Sequence, residues 1–324
     1  MRSIPFLLVS LAVGAAAFAG AMLVDNDYIF FAGYVVLQYV VLSTAWNILG
    51  GYCGYVNFGS AAFFALGAYS TVAVYQFIMA NEFPQVVPIP VLILVGGVVS
   101  GIVGFGMGYL TLRLRGSFFA IATLALAVVL QTLIVNWDFV GGSRGAYVIR
   151  PENFEFAGIQ VNYIEYLFAL MLLLAVIALT TARVIERSQL GFGFATIRDD
   201  ELAAEACGVP TLRLKLIATT LSGAFMGMAG APFPYYIGYL QPSSAFGLEY
   251  AVNSIAMPMI GGTTSWVGPL VGAILLGSAQ QYATVTISSA VNLLIVGLML
   301  VGFVIIAPNG LVGLVQEHLR RRQQ

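Results

Sequence analysis

Charge is what this 324-residue sequence has least of. Only 8% of its residues are Asp, Glu, Lys or Arg, against about 25% in an ordinary soluble domain. Thirteen basic and fourteen acidic side chains give a net charge of −1, which leaves no electrostatic footprint for nucleic acid. Lysine occurs once, as Lys215 in Leu-Arg-Leu-Lys-Leu. A phosphate-cradling loop needs Gly-Lys followed by Ser or Thr, so the chain has no ATP site of that kind. Histidine also occurs once, as His318 in the charged tail. That excludes a His-based triad and a His cluster for a metal. Cys53 and Cys207 make no disulfide framework. No catalytic group and no metal set is offered, and an enzyme is not the default reading.

What is abundant is hydrocarbon: 60% of residues are hydrophobic and mean hydropathy is +0.94. The composition predicts an all-α integral membrane protein, because backbone groups in lipid must be satisfied within each crossing. A spanning helix needs about 20 mostly apolar residues. Such stretches lie at 4–24, 28–49, 58–80, 87–110, 117–137, 163–182, 216–237, 250–261, 267–287 and 290–306. The stretch at 250–261 is short for a crossing and reads as a broken helix or one running back into 245–249. The first stretch is longer than the roughly 15-residue core of a signal peptide and is expected to stay as a helix. With all ten crossing, eleven of the thirteen basic residues share one face and only Arg144 and Arg150 face the other. The positive-inside rule makes the first face cytoplasmic, with both termini on it. The whole chain, 1–324, reads as one transmembrane domain with a cytoplasmic loop at 183–215 and a tail at 307–324.

Two strings interrupt apolar runs with turn-forming residues: Gly50-Gly-Tyr-Cys-Gly-Tyr-Val-Asn-Phe-Gly59 and Ile260-Gly-Gly-Thr-Thr-Ser-Trp-Val-Gly-Pro269. Broken backbone near a membrane is tolerated where it is buried in protein or lines a cavity, and transporters place substrate sites at such breaks. Two ordinary cytoplasmic turns are the other reading. Polar positions around the first break are candidates for a translocation path: Ser43, Asn47, Tyr52, Asn57 and Ser60. Their competing role is interhelical hydrogen bonding, worth about 0.6–2 kcal/mol each. Span interiors hold Gln38, Gln131, Asn253, Gln280 and Asn292 but no central charge. An ion-coupled carrier normally shows ionisable groups there; a facilitative channel remains a competing class.

The loop at 183–215 contains one helix with signals at both ends. Thr196 with Asp199 three residues on fits a capping box. Asp199, Asp200 and Glu201 put negative charge in the first turn, where the helix dipole favours it. Gly208 closes the helix and Pro210 forbids continuation. A helix of about three turns is marginal alone, so it docks on something. Its acidic and Ala-rich faces suit a groove in another protein better than anionic lipid.

These residues resemble the permease subunits of branched-chain amino acid ABC importers, of the LivM branch, from about residue 30 to 316. The resemblance rests on Gly51-Tyr-Cys-Gly-Tyr-Val-Asn-Phe-Gly-Ser60, Arg113-Leu-Arg-Gly-Ser-Phe-Phe, Gly141-Gly-Ser-Arg-Gly, Ala195-Thr-Ile-Arg-Asp-Asp-Glu, Gly261-Gly-Thr-Thr-Ser-Trp and Pro308-Asn-Gly-Leu. It implies about ten helices in two inverted halves, in a bacterial plasma (inner) membrane. It makes 196–208 the coupling helix for an ATP-binding subunit, carried by Thr196, Ile197, Arg198, Asp199, Asp200, Glu201, Ala204, Glu205 and Gly208. It implies a second, LivH-like permease, two ATP-binding subunits that hold the ATP and Mg, and a periplasmic or extracellular binding protein contacting the region of Arg144 and Glu82. The substrate class implied is branched-chain and other hydrophobic amino acids; urea, short amides and other small amino acids are alternatives. Two positions depart from the family pattern: Arg144 replaces an acidic residue, and Gly54-Tyr55 replaces Gly-Leu. Either is expected to signal a different substrate.

Overall fold

A computed structural model describes residues 3–24, 26–81, 87–111, 114, 116–150, 153–156, 159–286, 294, 297–298, 301–302 and 310–314. The long helices are α1 Ser3–Met22, α2 Asp27–Asn47, α3 Ser60–Ala80, α4 Ile89–Thr111, α5 Ser117–Val135, α6 Tyr163–Glu186, α9 Thr211–Gly230, α12 Leu248–Gly261 and α13 Val267–Thr286. Between them lie the short helices α7 Gln189–Asp199, α8 Glu201–Ala206, α10 Phe233–Ile237 and α11 Pro242–Ala245. Among the described residues, seven helical stretches are long and apolar enough to cross a membrane: α1 to α6, with α2 extended to Tyr52, and the α9–α10 unit from Thr211 to Ile237. At 14 residues α12 is about 21 Å long, short of a full crossing, and it contains Pro258. The stretch expected at 290–306 lies mostly outside the described residues.

Helix α2 is central: every residue from Gln38 to Leu49 is buried. A helix buried all round needs no amphipathic stripe. Phe30 near the start of α2 meets Phe168 near the start of α6, with ring centroids 5.5 Å apart. The two helices therefore run in the same direction, from a Tyr163 end to a Glu186 end. Helices α3, α4 and α9 meet through glycines, since a Cβ on Gly67 would stand 2.6 Å from the carbonyl carbon of Gly227. Small residues let backbones approach this closely where no hydrophobic force drives helices together. Ser100 Oγ donates to the Phe63 carbonyl (3.0 Å) and Thr71 Oγ1 to the Ala231 carbonyl (2.8 Å), locking the contact.

The Tyr163 end is tied by two small antiparallel ladders. One is a hairpin of β2 Asn153–Phe156 with β3 Ile159–Asn162; the other pairs β1 Ala146–Tyr147 with β4 Tyr239–Leu240. The β1–β4 pair joins the chain after α5 to the chain after α10, with Ala146 opposite Leu240. Tyr239 donates to the Arg144 carbonyl and Arg150 to the Tyr236 carbonyl.

The helix expected over 196–208 is instead two. Helix α7 starts at Ser188, whose Oγ accepts from Gly191 N–H at 3.4 Å. It ends at Asp200, which is extended (φ −159) and caps α8 by accepting from Ala203 N–H at 3.0 Å. Thr196 is no cap; its hydroxyl donates to the Gly193 carbonyl within α7. The early start follows from packing: a Cβ on Gly191 would come within 2.9 Å of the Glu186 carbonyl, and one on Gly193 within 2.7 Å of Leu214. Glycines that weaken a free helix are what let α7 fold back against α6 and α9. The closing turn is as expected, with Gly208 at φ +82.

Candidate functional site

Both backbone breaks and the α7–α8 segment meet at the Glu186 end. Helix α2 widens into a π-helical turn, Ile48–Tyr52, and the chain runs irregularly from Cys53 to Gly59. Side chains hold part of this irregular backbone. The Trp46 indole N–H donates to the Asn57 carbonyl (2.9 Å), Phe58 N–H to Thr123 Oγ1 (3.1 Å) and Gly59 N–H to Asn57 Oδ1 (2.8 Å). The second break, between α12 and α13, is held from α6: Trp266 N–H donates to the Glu186 carboxylate at 2.8 Å. The Tyr52 hydroxyl reaches the same oxygen at 3.5 Å, so one carboxylate touches both breaks. One turn earlier the Arg183 guanidinium lies 3.7 Å from the centroid of the Phe6 ring and 5.6 Å from that of Trp266.

The α7–α8 segment is fastened over the first break. Arg198 Nη1 donates to the Gly51 carbonyl at 3.4 Å. Gly54 has φ +80, and a Cβ there would sit 2.9 Å from Arg198 Cγ, so both conformation and space require glycine. Glu201 enters the protein rather than solvent: its Oε1 is 2.7 Å from Lys215 Nζ, with side chains 13% and 3% exposed respectively. The Tyr55 hydroxyl donates to the other Glu201 oxygen and accepts from Lys215 at 3.3 Å. Lys215 Nζ also lies 4.9 Å from the centroid of the Tyr55 ring, whose edge-to-face partner is Phe119 of α5, with centroids 5.0 Å apart. Thr211 Oγ1 donates to Glu205 at 2.9 Å. Cys53 is buried beside this cluster. Burial pushes its thiol up to about 12, with Lys215 opposing and Glu201 reinforcing the shift.

The expected coupling residues divide between two faces. Thr196, Asp199, Asp200, Glu205 and Gly208 are exposed, and Arg198 is half-exposed; Ile197 and Ala204 are buried and Glu201 points inward. Those last three fasten the segment to its own chain. Two outward apolar side chains were not among the expected residues: Phe192 is 70% and Leu202 63% exposed. Phe192 precedes the helix that the capping signals suggest, and Leu202 lies within it without carrying a capping signal.

The five path candidates lie inside the bundle. Ser43, Asn47, Tyr52, Asn57 and Ser60 are all buried, none more than 5% exposed. Ser43 Oγ donates to the Pro269 carbonyl at 3.2 Å, and Ser254 Oγ to Ser60 Oγ at 2.8 Å. For Ser43 and Ser60 these are interhelical hydrogen bonds, as polar groups in lipid find partners across helices. A second such chain runs from Gln280 to Asn253 (2.9 Å) and from Asn253 to Tyr39 (3.1 Å). Arg144 is exposed at the Tyr163 end, remote from α7–α8; Glu82 lies outside the described residues. Tyr55 sits at the Glu186 end against Glu201. Among the described residues no three His, Cys, Asp or Glu side chains gather to hold a metal.

A family model described as branched-chain amino acid transport system / permease component matches residues 28–304. The high-affinity branched-chain amino acid transport system permease protein LivM of Salmonella typhimurium is 27% identical over 308 residues, covering 88% of this chain and 70% of that protein. LivM of Escherichia coli is 28% identical with the same coverage. A probable branched-chain amino acid transport permease protein LivH of Methanocaldococcus jannaschii is 24% identical over 274 residues, covering 80% of this chain and 85% of that protein. No solved structure matches the chain significantly.

Proposed function

Since the chain belongs to the branched-chain amino acid transport permease family, we propose that it is one membrane subunit of an ATP-driven importer for branched-chain amino acids, paired with a second, LivH-like permease. The observation that carries this reading is the family match across 28–304. The α7–α8 segment supports it by presenting Phe192 and Leu202 amid Asp199, Asp200 and Glu205, with its other face fastened to the bundle. Exposed apolar side chains on a segment that also carries carboxylates suit a groove with an apolar floor and a basic rim. An ATP-binding subunit would supply that groove, together with the ATP and Mg.

In this reading ten crossings form two inverted halves in a bacterial plasma membrane: the seven apolar stretches, α12, α13 and 290–306. The Glu186 end is cytoplasmic, consistent with Arg183, Arg187, Arg198, Arg213 and Lys215 gathered there and the positive-inside rule, and both termini lie on that side. The Tyr163 end, with Arg144, receives a substrate-binding protein. The substrate passes between the two permeases. ATP-driven closure of the partner subunits shifts the access equilibrium only through differential contacts with its two states.

The test is reconstitution in vesicles of this chain, alone and with a LivH-type permease, ATP-binding subunits and binding protein. Leucine uptake that needs ATP and every component is the expected result. Uptake by the chain alone would overturn the proposal in favour of a facilitative channel. Assembly-dependent uptake of urea, a short amide or another small amino acid in place of leucine would correct the substrate class.

A further inference from the structure

We propose that Tyr55, Glu201 and Lys215 form a buried electrostatic joint that converts displacement of the α7–α8 segment into displacement of the broken end of α2. The inference rests on the importer reading above and assigns these three as positioning residues for its coupling step.

The only lysine in the chain is spent inside the protein, on a carboxylate 2.7 Å away. Burying such a pair is costly in desolvation, and well-packed apolar residues of similar volume often stabilise a fold as well or better. Stability alone is therefore a poor reason for it. What an ion pair adds over an apolar contact is direction and register. Here the joint touches four separate elements at one point: α8 through Glu201, α9 through Lys215, the first break through Tyr55, and α5 through the Phe119 edge. Glu201 is the first residue of α8, directly after the Asp200 kink. The kink lets α8 move apart from α7, while the pair prevents it from moving apart from Lys215 and Tyr55. Arg198 to Gly51 and Thr211 to Glu205 are flanking tethers to the same two elements. Tyr55 lies three residues beyond the π-helical turn that ends α2, so a push on α8 enters the central helix where its backbone is least regular.

The test uses the whole reconstituted assembly and reads substrate moved per ATP hydrolysed, alongside melting temperature and subunit co-purification. The main variant is Lys215→Met with Glu201→Gln, which removes both charges and most of the joint while leaving no lone buried ion. The expected result is normal assembly and melting, with transport per ATP reduced about tenfold, within the range of measured coupling energies. Tyr55→Phe removes one hydroxyl and is expected to lower the same ratio with no loss of assembly. A double variant that assembles and keeps its ratio within about twofold of the original overturns the joint. If the double variant does not assemble, Tyr55→Phe decides: an unchanged ratio overturns the joint. A starting assembly with no ATP-driven uptake defeats the importer reading itself, whereas uptake that is indifferent to these variants defeats only the joint.

Discussion

Gly67→Ala adds a single methyl group where α3 crosses α9, and its consequence can be worked from the backbone. The new Cβ would stand 2.6 Å from the Gly227 carbonyl carbon and nearer still to its oxygen. Unstrained carbon contacts lie at about 3.5–4.0 Å, so the helices must part by about 1 Å. Backbone cannot rotate away as a side chain can, and the methyl counts as overpacking, at about 1–3 kcal/mol. Separation also stretches the Thr71–Ala231 hydrogen bond, worth about 0.6 kcal/mol. Against this, alanine gains about 0.8–1 kcal/mol of helix propensity. The net expectation is a loss of about 1–3 kcal/mol. Gly106→Ala is the control, because that position in α4 has nothing within 4 Å of its Cβ and collects the propensity gain alone. Thermal unfolding of the two variants in the same detergent is the assay. A Gly67→Ala protein that melts at or above the Gly106→Ala protein would refute the claim that glycine contact sets the spacing of α3, α4 and α9.

Three further expectations follow from the Glu186 end. Phe192→Asp and Leu202→Asp should each abolish co-purification with an ATP-binding subunit while leaving the melting temperature of the isolated chain unchanged; retained co-purification would remove these side chains from the docking face. Gly54→Ala forces a Cβ into the left-handed region at a cost of about 1–2 kcal/mol and against Arg198, so faster proteolysis within 189–208 is expected, and unchanged protection argues against the Gly54–Arg198 contact. A maleimide at neutral pH should label exposed Cys207 but not buried Cys53. The raised Cys53 pKa leaves it almost wholly protonated there, and thiolate is the reactive form. Mass spectrometry showing equal labelling of both would contradict the buried cluster.

The helices were legible because apolar runs long enough to cross a membrane have few alternatives, but their ends were not. The runs were read as 163–182 and 216–237, whereas α6 continues to Glu186 and α9 begins at Thr211. Counting apolar residues stops at the first charge; the backbone ladder does not. Arg183 remains helical with its charge on aromatic rings, and Lys215 with its charge on Glu201. The same blindness hid the site. The acidic segment at 196–208 was visible from its caps, but the direction of Glu201 depends on a lysine fourteen residues later and a tyrosine 146 residues earlier. Neither local propensity nor spacing encodes such pairings. A lone lysine between Leu214 and Leu216 was the available signal, since an ammonium in an apolar stretch implies a counter-charge.

The β1–β4 bridge gives the bundle a fixed crown. It staples the strand after α5 to the strand after α10, and Tyr239 and Arg150 rivet the same neighbourhood. A rod pinned at its top and nudged at its foot swings instead of sliding. Movement entering at α8 would therefore fade with height, while the opposite rim keeps its shape for whatever lands on it.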